Sequence, residues 1–459
     1  MVGARADWTN WAGTAACRPA AVDAPASEEE IVAAVRAAVA AGQRVKAVGS
    51  GHSFTDIACT DGRLLRLDGY DRVLEVDVER GTATVQSGIT LENLSRVLAG
   101  FDLALENLGD VGYQTIAGAI STATHGTGER WRNLSSQVCG LRLVTAAGEV
   151  LECSPERDPE TFKAAQVSLG ALGVISTVTL RCVPAFYLRS VQERQRLDEL
   201  LERFDERCAE HDHFEFFWWP HTPWAQAIAN RRSPEPLPGK PRRGPGSYLT
   251  DVVLDNHAFG LLQGLARLNR SWIPRLTALS ARAMGRREIA DRSHRVFLNQ
   301  RLVRFAEMEY ALPREQLVPA LKEVRRMIDR TGLLVSFPVE VRAVAADDIP
   351  LSPAYGRPTG YIAVHVFHRF EYERYFREVE AIMTAHQGRP HWGKLHFQEA
   401  AGLRPRYPLW DRFLAVRDRL DPQGVFANPY LDRVLGRPGN PEPPAGQGRS
   451  GRGSKQGDG

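Results

Sequence analysis

A glycine-rich turn placed directly after a short strand is the feature that most constrains the fold of this chain. Ser27–Glu30 has the pattern of a capping box and predicts a helix that Gly42 ends. The run Arg44–Val48 predicts a strand, which leads straight into the turn Gly49–Phe54. A helix, a strand and a tight turn in this order predict an α/β unit.

The turn departs from the GxGxxG pattern of nicotinamide dinucleotide sites at one position. Phe54 stands in place of the third glycine, and the residues after it do not begin a helix. A nicotinamide site of that type is therefore not predicted. Consecutive backbone N–H groups of such a turn can still hold a pyrophosphate without a cation.

A second stretch of small and hydroxyl-bearing residues runs from Thr115 to Gly128. Small side chains let the backbone approach a ligand closely, and hydroxyl groups can replace water around phosphate oxygens. Either loop alone would be weak evidence for a ligand. Two such loops within one predicted α/β unit favour a large phosphorylated cofactor.

The elements around these loops complete a predicted first domain. Strand-like runs on either side of Glu79–Gly81 form one predicted hairpin, and residues 140–153 form another. A helix is predicted from Thr90 to about Leu98. The apolar strand run that ends at Pro184 closes this domain, which we place at residues 1–184.

The rest of the chain is predicted as a second domain, residues 185–435, and a disordered tail, residues 436–459. Within the second domain, residues 231–247 are rich in proline, glycine and arginine and predict a loop. Residues 261–287 predict a basic helical stretch. Such a stretch can lie on a membrane surface. A solvated helix face is the preferred interpretation.

Two strand-like segments of the second domain alternate between aliphatic and polar residues. Glu340 and Arg342 share one face of the first segment, because successive side chains of a strand point to opposite sides. His365 lies opposite the aliphatic side chains of the second segment. A sheet face with these three side chains suits the wall of a polar pocket. A surface ion pair beside an unrelated histidine is the alternative that the pattern leaves open.

The composition is that of a globular protein of two or three domains, with 43% hydrophobic and 25% charged residues among 459. The 58 basic and 55 acidic residues leave a net charge of +3, so nucleic-acid binding is not predicted. The cysteines and histidines lack zinc-type spacing, so no metal site is predicted. The sequence shows neither a signal-peptide pattern nor a membrane-spanning stretch, and a cytoplasmic location is the simplest expectation.

Five separated motifs resemble those of the aldonolactone oxidoreductases of the vanillyl-alcohol-oxidase flavoprotein superfamily. They are VGSGHSFTDIA, NLGDVGYQTIAGAISTATHGTG, LGALGVIS, VEVR and RPHWGKLH, and the likeness covers about residues 7–435. The family includes gulonolactone, galactonolactone and arabinonolactone oxidases, and alditol oxidases. It implies an α+β fold, in which a PCMH-type FAD-binding domain of two subdomains precedes an α+β substrate or cap domain with a mixed or antiparallel sheet. The final segment of the chain would return to the flavin domain.

The resemblance implies FAD as the cofactor. His52 stands where many relatives bond a histidine covalently to the flavin 8α carbon, whereas others hold the flavin noncovalently. A covalent bond would raise the flavin potential and prevent loss of the cofactor. For His125, the alternative to a cofactor role is that of a capped core residue between glycines. The implied cofactor site consists of Ala47, Val48, Gly49, Ser50, Gly51, His52, Ser53, Thr115, Gly118, Thr122, Ala123, Thr124, His125, Ile175 and His391.

The resemblance also assigns the reacting side of the site. Glu340 and Arg342 would bind substrate hydroxyls or the ring carbonyl. Lys394, with a pKa lowered by desolvation, would accept the hydroxyl proton, and His365 would steady it. The implied reaction is hydride transfer to flavin N5 from L-gulono-, L-galactono- or D-arabinono-1,4-lactone. Its product would enolise to an ascorbate-type enediol.

Two positions bear on the choice among relatives. Gly109 and Asp110 stand where alditol-oxidising members have Ala-Ser. Asp110 is therefore expected to bind substrate and favours a lactone over an alditol such as xylitol or sorbitol. Gly109, as a small gate residue, favours access of O2 to the flavin, and a cytochrome or quinone is the alternative acceptor. A flavin-binding protein that has lost catalysis is the remaining hypothesis.

Overall fold

The computed structural model describes residues 7–238, 241, 258–299 and 303–439. Most of the predicted disordered tail lies outside these residues, as does most of the second half of the predicted loop at 231–247.

The first unit of the fold is a small parallel sheet covered by one helix. Its elements are β1 (Trp8–Thr9), β2 (Ala16–Cys17), β3 (Ala21–Asp23), α1 (Glu28–Ala40), β4 (Val45–Val48) and β5 (Arg63–Arg66). The parallel strands run in the order β3-β5-β4, while β1 and β2 pair separately. Ser27 accepts a hydrogen bond from the backbone N–H of Glu30, and Glu30 accepts one from Ala26. The predicted cap and strand are therefore both confirmed.

A five-stranded antiparallel sheet forms the second unit. Its strands run in the order β10-β9-β11-β7-β6, and the separate pair β12-β8 lies beside them. The elements are β6 (Val73–Asp77), β7 (Thr82–Gln86), α2 (Leu91–Ala99), β8 (Leu103–Ala104), α3 (Ile116–Ser121), β9 (Val138–Val144), β10 (Val150–Cys153), α4 (Pro159–Gln166), β11 (Val174–Arg181) and β12 (Val183–Pro184). Both predicted hairpins are confirmed. The predicted second loop is partly helical, since α3 occupies its first half.

An eight-stranded antiparallel sheet forms the third unit. Its order is β16-β13-β15-β14-β18-β19-β17-β20. The elements are β13 (Tyr187–Arg196), α5 (Leu197–Glu202), α6 (Phe204–Glu210), β14 (His213–Trp218), β15 (Trp224–Ser233), α7 (Phe259–Leu268), α8 (Ile273–Ala283), β16 (Arg287–Arg292), α9 (Ser293–Phe297), β17 (Phe305–Pro313), α10 (Leu317–Thr331), β18 (Val339–Val344), β19 (Thr359–Phe367), α11 (Glu373–Ala385) and β20 (Arg389–Pro390). One face of β18 and β19 packs its aliphatic residues against α10 and α11. The predicted alternation is therefore confirmed.

The C-terminal segment returns to the first two units through α12 (Ala400–Leu403), α13 (Trp410–Leu420) and α14 (Pro429–Leu435). Phe413 and Tyr430 belong to the same hydrophobic core as the five-stranded sheet. The ammonium group of Lys46 donates to the carbonyl oxygen of Phe426 at 3.1 Å. The side-chain amide of Asn428 donates to three carbonyl oxygens between residues 56 and 59. Such a return is what the family likeness implied.

Separate parallel and antiparallel sheets make this an α+β fold, as predicted. The domain limits 1–184 and 185–435 remain a proposal.

The predicted loop at 231–247 begins too early, because Arg231–Ser233 continue β15. The predicted basic stretch is not one helix but two, α7 and α8, with a 3-10 turn between them. In the described part of the chain, no helix is both long and apolar enough to cross a membrane.

Candidate active site

A cleft of about 1010 Å³ opens between the glycine-rich turn after β4 and helix α3. Gly49 is required where the turn meets α3, since a Cβ atom there would lie 2.0 Å from Oγ1 of Thr115. Gly51 has a φ of +67°, a conformation that favours glycine. Backbone thus forms much of this wall, which suits the binding of phosphate groups by N–H donors.

Most of the residues that the sequence assigned to the cofactor line this cleft. They are Ala47, Val48, Gly49, Ser50, Gly51, His52, Ser53, Thr115, Gly118, Thr122 and Ile175. Ala123, Thr124 and His125 do not line it. The ring of His125 is buried behind the wall, 3.7 Å from the ring of Tyr361, and its Nε2 atom lies 3.2 Å from the Glu309 carboxylate.

His52 lies where the large cleft meets a second cavity of about 420 Å³ and lines both. Its ring stacks on Trp11 at 4.8 Å and contacts Tyr113 at 4.4 Å. Its Nε2 atom is buried and has no hydrogen-bond partner among the described residues. Burial and the nearby Lys394 ammonium lower the pKa of His52 to about 4, so the imidazole is neutral.

The second cavity has aromatic walls and one buried ion pair. Nζ of Lys394 lies 2.5 Å from Oε2 of Glu307. The lining residues are Trp11, His52, Ser53, Phe54, Val111, Gln114, Thr122, Phe305, Glu307, His391, Gly393 and Lys394. An apolar chamber with one charged pair can orient a small polar molecule.

The ionisation of Lys394 contradicts the sequence prediction. Burial disfavours its charge, but Glu307 and Glu309 outweigh burial and raise the pKa of Lys394 above its ordinary value. Burial likewise opposes the charge on Glu307, yet Lys394 and His365 lower the pKa of that carboxyl to about 2. The predicted lowered pKa of Lys394 is therefore wrong, because a partner carboxylate in a low-dielectric site stabilises the ammonium form. In this structure Lys394 is a cation and cannot accept a proton.

Two glutamates of β17 belong to this site and were missed from the sequence. Glu307 and Glu309 point to one side of the strand, while Met308 and Tyr310 enter the core on the other. Glu307 is paired in register with His365 of β19, and the His365 Nε2 atom lies 3.5 Å from its carboxylate. The alternation in FAEMEYALP was the available signal, and it matches the alternation that identified the neighbouring strands.

Arg342 forms the centre of a buried ion cluster. Its guanidinium lies 2.6 Å from Asp110, 2.7 Å from Glu215 and 2.5 Å from Glu340. Asp110, Glu340 and Arg342 line neither the cleft nor the smaller cavity. Of the four residues predicted to bind substrate, Lys394 alone lines the smaller cavity, and the other three lie together in this ion cluster.

Gly109 has a packing reason to be glycine. A Cβ atom at this position would lie 2.9 Å from the backbone oxygen of His125. A Cβ atom at Gly126 would lie 2.2 Å from the backbone oxygen of Leu108, so the two segments approach each other at backbone distance. The close contact of these two segments explains the small residue independently of any role in oxygen access.

Two family models match the chain. Residues 178–434 match the model described as D-arabinono-1,4-lactone oxidase. Residues 19–154 match the model of an FAD binding domain. The glycine-rich turn and α3 fall within the second match, and the Lys394–Glu307 pair falls within the first.

Similar proteins of known name agree with these models. The chain is 50% identical over 432 residues to L-gulono-1,4-lactone dehydrogenase of Mycobacterium tuberculosis, a likeness that covers 94% of this chain and 99% of that protein. It is 36% identical to L-gulonolactone oxidase of Bos taurus, over 93% of this chain and 97% of the other.

A solved structure shares the fold at low sequence identity. The solvent-stable cholesterol oxidase superposes with a TM-score of 0.80 at 20% identity, over 94% of this chain and 97% of that one. The predicted arrangement of an FAD-binding domain and an α+β cap is therefore confirmed at the level of the fold.

Proposed function

Because the chain belongs to the D-arabinono-1,4-lactone oxidase family and carries an FAD-binding domain, we propose that it oxidises a sugar 1,4-lactone. L-Gulono-, L-galactono- and D-arabinono-1,4-lactone are the substrates of this class, and the product would be an ascorbate-type enediol lactone. The observation that carries the proposal is the Lys394–Glu307 pair in a small cavity that shares His52 with the large cleft.

The residues present fit FAD. The backbone of the glycine-rich turn offers N–H donors for the pyrophosphate. A side chain at Gly49 would collide with Thr115, so only glycine lets the turn approach α3 this closely. The buried Nε2 atom of His52 has no hydrogen-bond partner among the described residues, which suits a histidine whose partner is the cofactor. When bound, the flavin supplies a hydride acceptor.

Lys394 and Glu307 would handle the hydroxyl proton together. The Lys394 ammonium donates a hydrogen bond to the hydroxyl oxygen of the substrate and stabilises the negative charge that grows there. Glu307, a carboxylate on the same cavity wall, accepts the proton as the carbon loses its hydride. A carboxylate with a pKa of about 2 can do so because the loss of hydride makes the hydroxyl proton strongly acidic. This role replaces the proton transfer to Lys394 that the sequence predicted.

The Arg342 cluster would act from behind the cavity. Its one cation and three carboxylates tie β18 to the neighbouring strand β14 and to the segment before α3. His365 donates through Nδ1 to the carbonyl of Pro338, which directs Nε2 towards Glu307 and Glu340. We propose that Asp110, Glu340 and Arg342 hold the wall in shape and that His365 positions Glu307.

A substrate panel tests the proposed function. We expect the yellow holoprotein to lose its visible flavin absorbance in the absence of oxygen when a sugar 1,4-lactone is added, and to respond weakly to xylitol or sorbitol. Stronger bleaching by the alditols would support the alternative, an alditol oxidase. Absence of bleaching by every compound would indicate a flavin-binding protein without this activity. Return of the colour with O2, a cytochrome or a quinone would identify the acceptor.

Covalent attachment through His52 predicts a second result. After acid precipitation of the wild-type protein, the yellow colour should remain in the pellet, whereas with His52→Ala it should appear in the supernatant. The matched control is His368→Ala, because the His368 ring is exposed and distant from the turn in sequence. Release of the colour from the wild-type protein would show that the flavin is held noncovalently.

The cellular setting is also a proposal. We place the enzyme in the cytoplasm, acting on a soluble sugar lactone in the formation of an ascorbate-type product. Fractionation of cells that express the full chain, with lactone oxidation followed in each fraction, tests the location.

A further inference from the structure

Helices α7 and α8 present large apolar side chains to the outside. The exposed fractions are 66% for Leu261, 78% for Leu268, 40% for Trp272 and 55% for Leu279. The buried positions of the same helices are mostly small or polar, namely Gln263, Ala266, Thr277 and Ala281, and Ile273 is the one large apolar residue among them. An ordinary surface helix buries its apolar face. Here several large apolar side chains lie on the outer side.

Arginines surround these apolar side chains. Residues 258–287 contain six arginines and no aspartate, glutamate or lysine. Trp272, which ends the 3-10 turn before α8, and Arg275, Leu279 and Arg282 within α8 follow one another at intervals of three and four residues, so they share one face. All four are exposed. The whole chain has a net charge of only +3, so this cationic surface is a local feature.

We propose that the outer face of α7 and α8 docks on the surface of an anionic phospholipid bilayer. Leucine and tryptophan side chains enter the headgroup region, and the arginines bind lipid phosphates. This face suits a bilayer better than a nucleic acid, because a phosphodiester backbone offers no apolar layer for three leucines. It also suits a bilayer better than a symmetric contact with a second copy, which would bring arginines against arginines.

The docking face adjoins the smaller cavity of the active site. Phe259, the first residue of α7, contacts the ring of Phe337 at 4.8 Å, and Phe337 contacts Phe305 at 5.7 Å. Phe305 lines the cavity that holds the Lys394–Glu307 pair. A chain of three aromatic rings therefore joins the helix pair to the cavity wall.

Flotation of the holoprotein with lipid vesicles tests the docking. We expect it to float with vesicles of phosphatidylcholine containing roughly one-third phosphatidylglycerol, and to bind pure phosphatidylcholine far more weakly. Raising the salt to roughly 0.5 M should weaken binding, because salt screens exposed charges. Absence of flotation, or equal flotation with both kinds of vesicle, would overturn the proposal.

A matched pair of variants tests whether the outer face of α7 and α8 is the surface that binds vesicles. Leu279→Asp should lower vesicle binding by on the order of tenfold, whereas Leu74→Asp should not change it. The two leucines are equally exposed, at 55% and 53%, and only Leu279 lies on the proposed face. Arg275→Gln with Arg282→Gln should reduce binding to the anionic vesicles. If Leu279→Asp bound vesicles as well as the wild type, another surface would have to make the contact. If light scattering showed a wild-type dimer that Leu279→Asp dissociates, the face would bind a second copy. Either result would overturn the proposal.

Discussion

Replacing Arg342 with methionine should lower the free energy of unfolding by about 3–5 kcal/mol, the cost of removing one partner from a buried ion pair. Methionine fills much of the same space but leaves Asp110, Glu215 and Glu340 without the cation they share. The side chains of the cluster are at most 17% exposed, so water cannot replace the lost partner. Urea unfolding of the holoprotein measures the change.

The pH dependence of this loss follows from the carboxyl groups. Burial raises the pKa of Glu215 to about 7, and Arg342 is the group that opposes this shift. Without Arg342 the folded variant holds extra protons relative to its unfolded chain, so its stability rises as the pH falls. The deficit should therefore narrow as the pH falls from the alkaline side to about 7, because below that pH Glu215 is protonated in both folded proteins.

Two further variants separate the charge effect from a packing effect. Adding Glu215→Gln to Arg342→Met should restore part of the stability above about pH 7, where the loss of Arg342 leaves the Glu215 carboxylate without its cation. The control Arg189→Met removes a partly exposed arginine paired with Glu288 and should change stability little. An Arg342→Met protein as stable as the wild type at neutral pH would contradict the role assigned to the cluster.

Replacing Lys394 with methionine should lower kcat/KM for the lactone by roughly 10²–10³-fold, the range expected for the loss of one donor that stabilises a developing oxyanion. The variant loses the ammonium that would stabilise the developing oxyanion, and it leaves Glu307 without its closest cation. The rate of flavin bleaching under anaerobic conditions measures the effect on the chemical step directly. Flavin content and the unfolding midpoint show whether the variant has folded.

A double variant tests whether Lys394 and Glu307 work as a pair. If they act together, Lys394→Met with Glu307→Gln should be scarcely slower than either single variant. The control Lys163→Met removes a partly exposed lysine paired with Asp348 and should leave the rate unchanged. Bleaching of the flavin by Lys394→Met at the wild-type rate would exclude both roles.

Local patterns in the sequence were sufficient for much of the fold. The cap at Ser27, the turn after β4 and the alternation in β18 depend on neighbouring residues, and each is present as predicted. The charge state of Lys394 could not be obtained in this way. It depends on Glu307, a residue 87 positions earlier in the chain, which only the pairing of strands brings within 2.5 Å.

The same limit explains the position of Arg342. The sequence correctly placed Glu340 and Arg342 on the polar face of one strand, but the other partners come from distant segments, Asp110 before α3 and Glu215 on β14. Once these carboxylates surround the guanidinium, it forms part of the interior and does not line the cavity. Periodicity identifies the face of a strand, whereas the partners on that face depend on tertiary packing.

The return of the C-terminal segment has a consequence for how the large cleft is completed. Phe426 lines this cleft, and its carbonyl oxygen accepts a hydrogen bond from Lys46. Asn428 donates to three carbonyl oxygens of the chain just after the glycine-rich turn. Two segments that lie 380 positions apart in the chain therefore close the same cleft. A chain cut off before Asp421 would lack this closure and should not stay yellow.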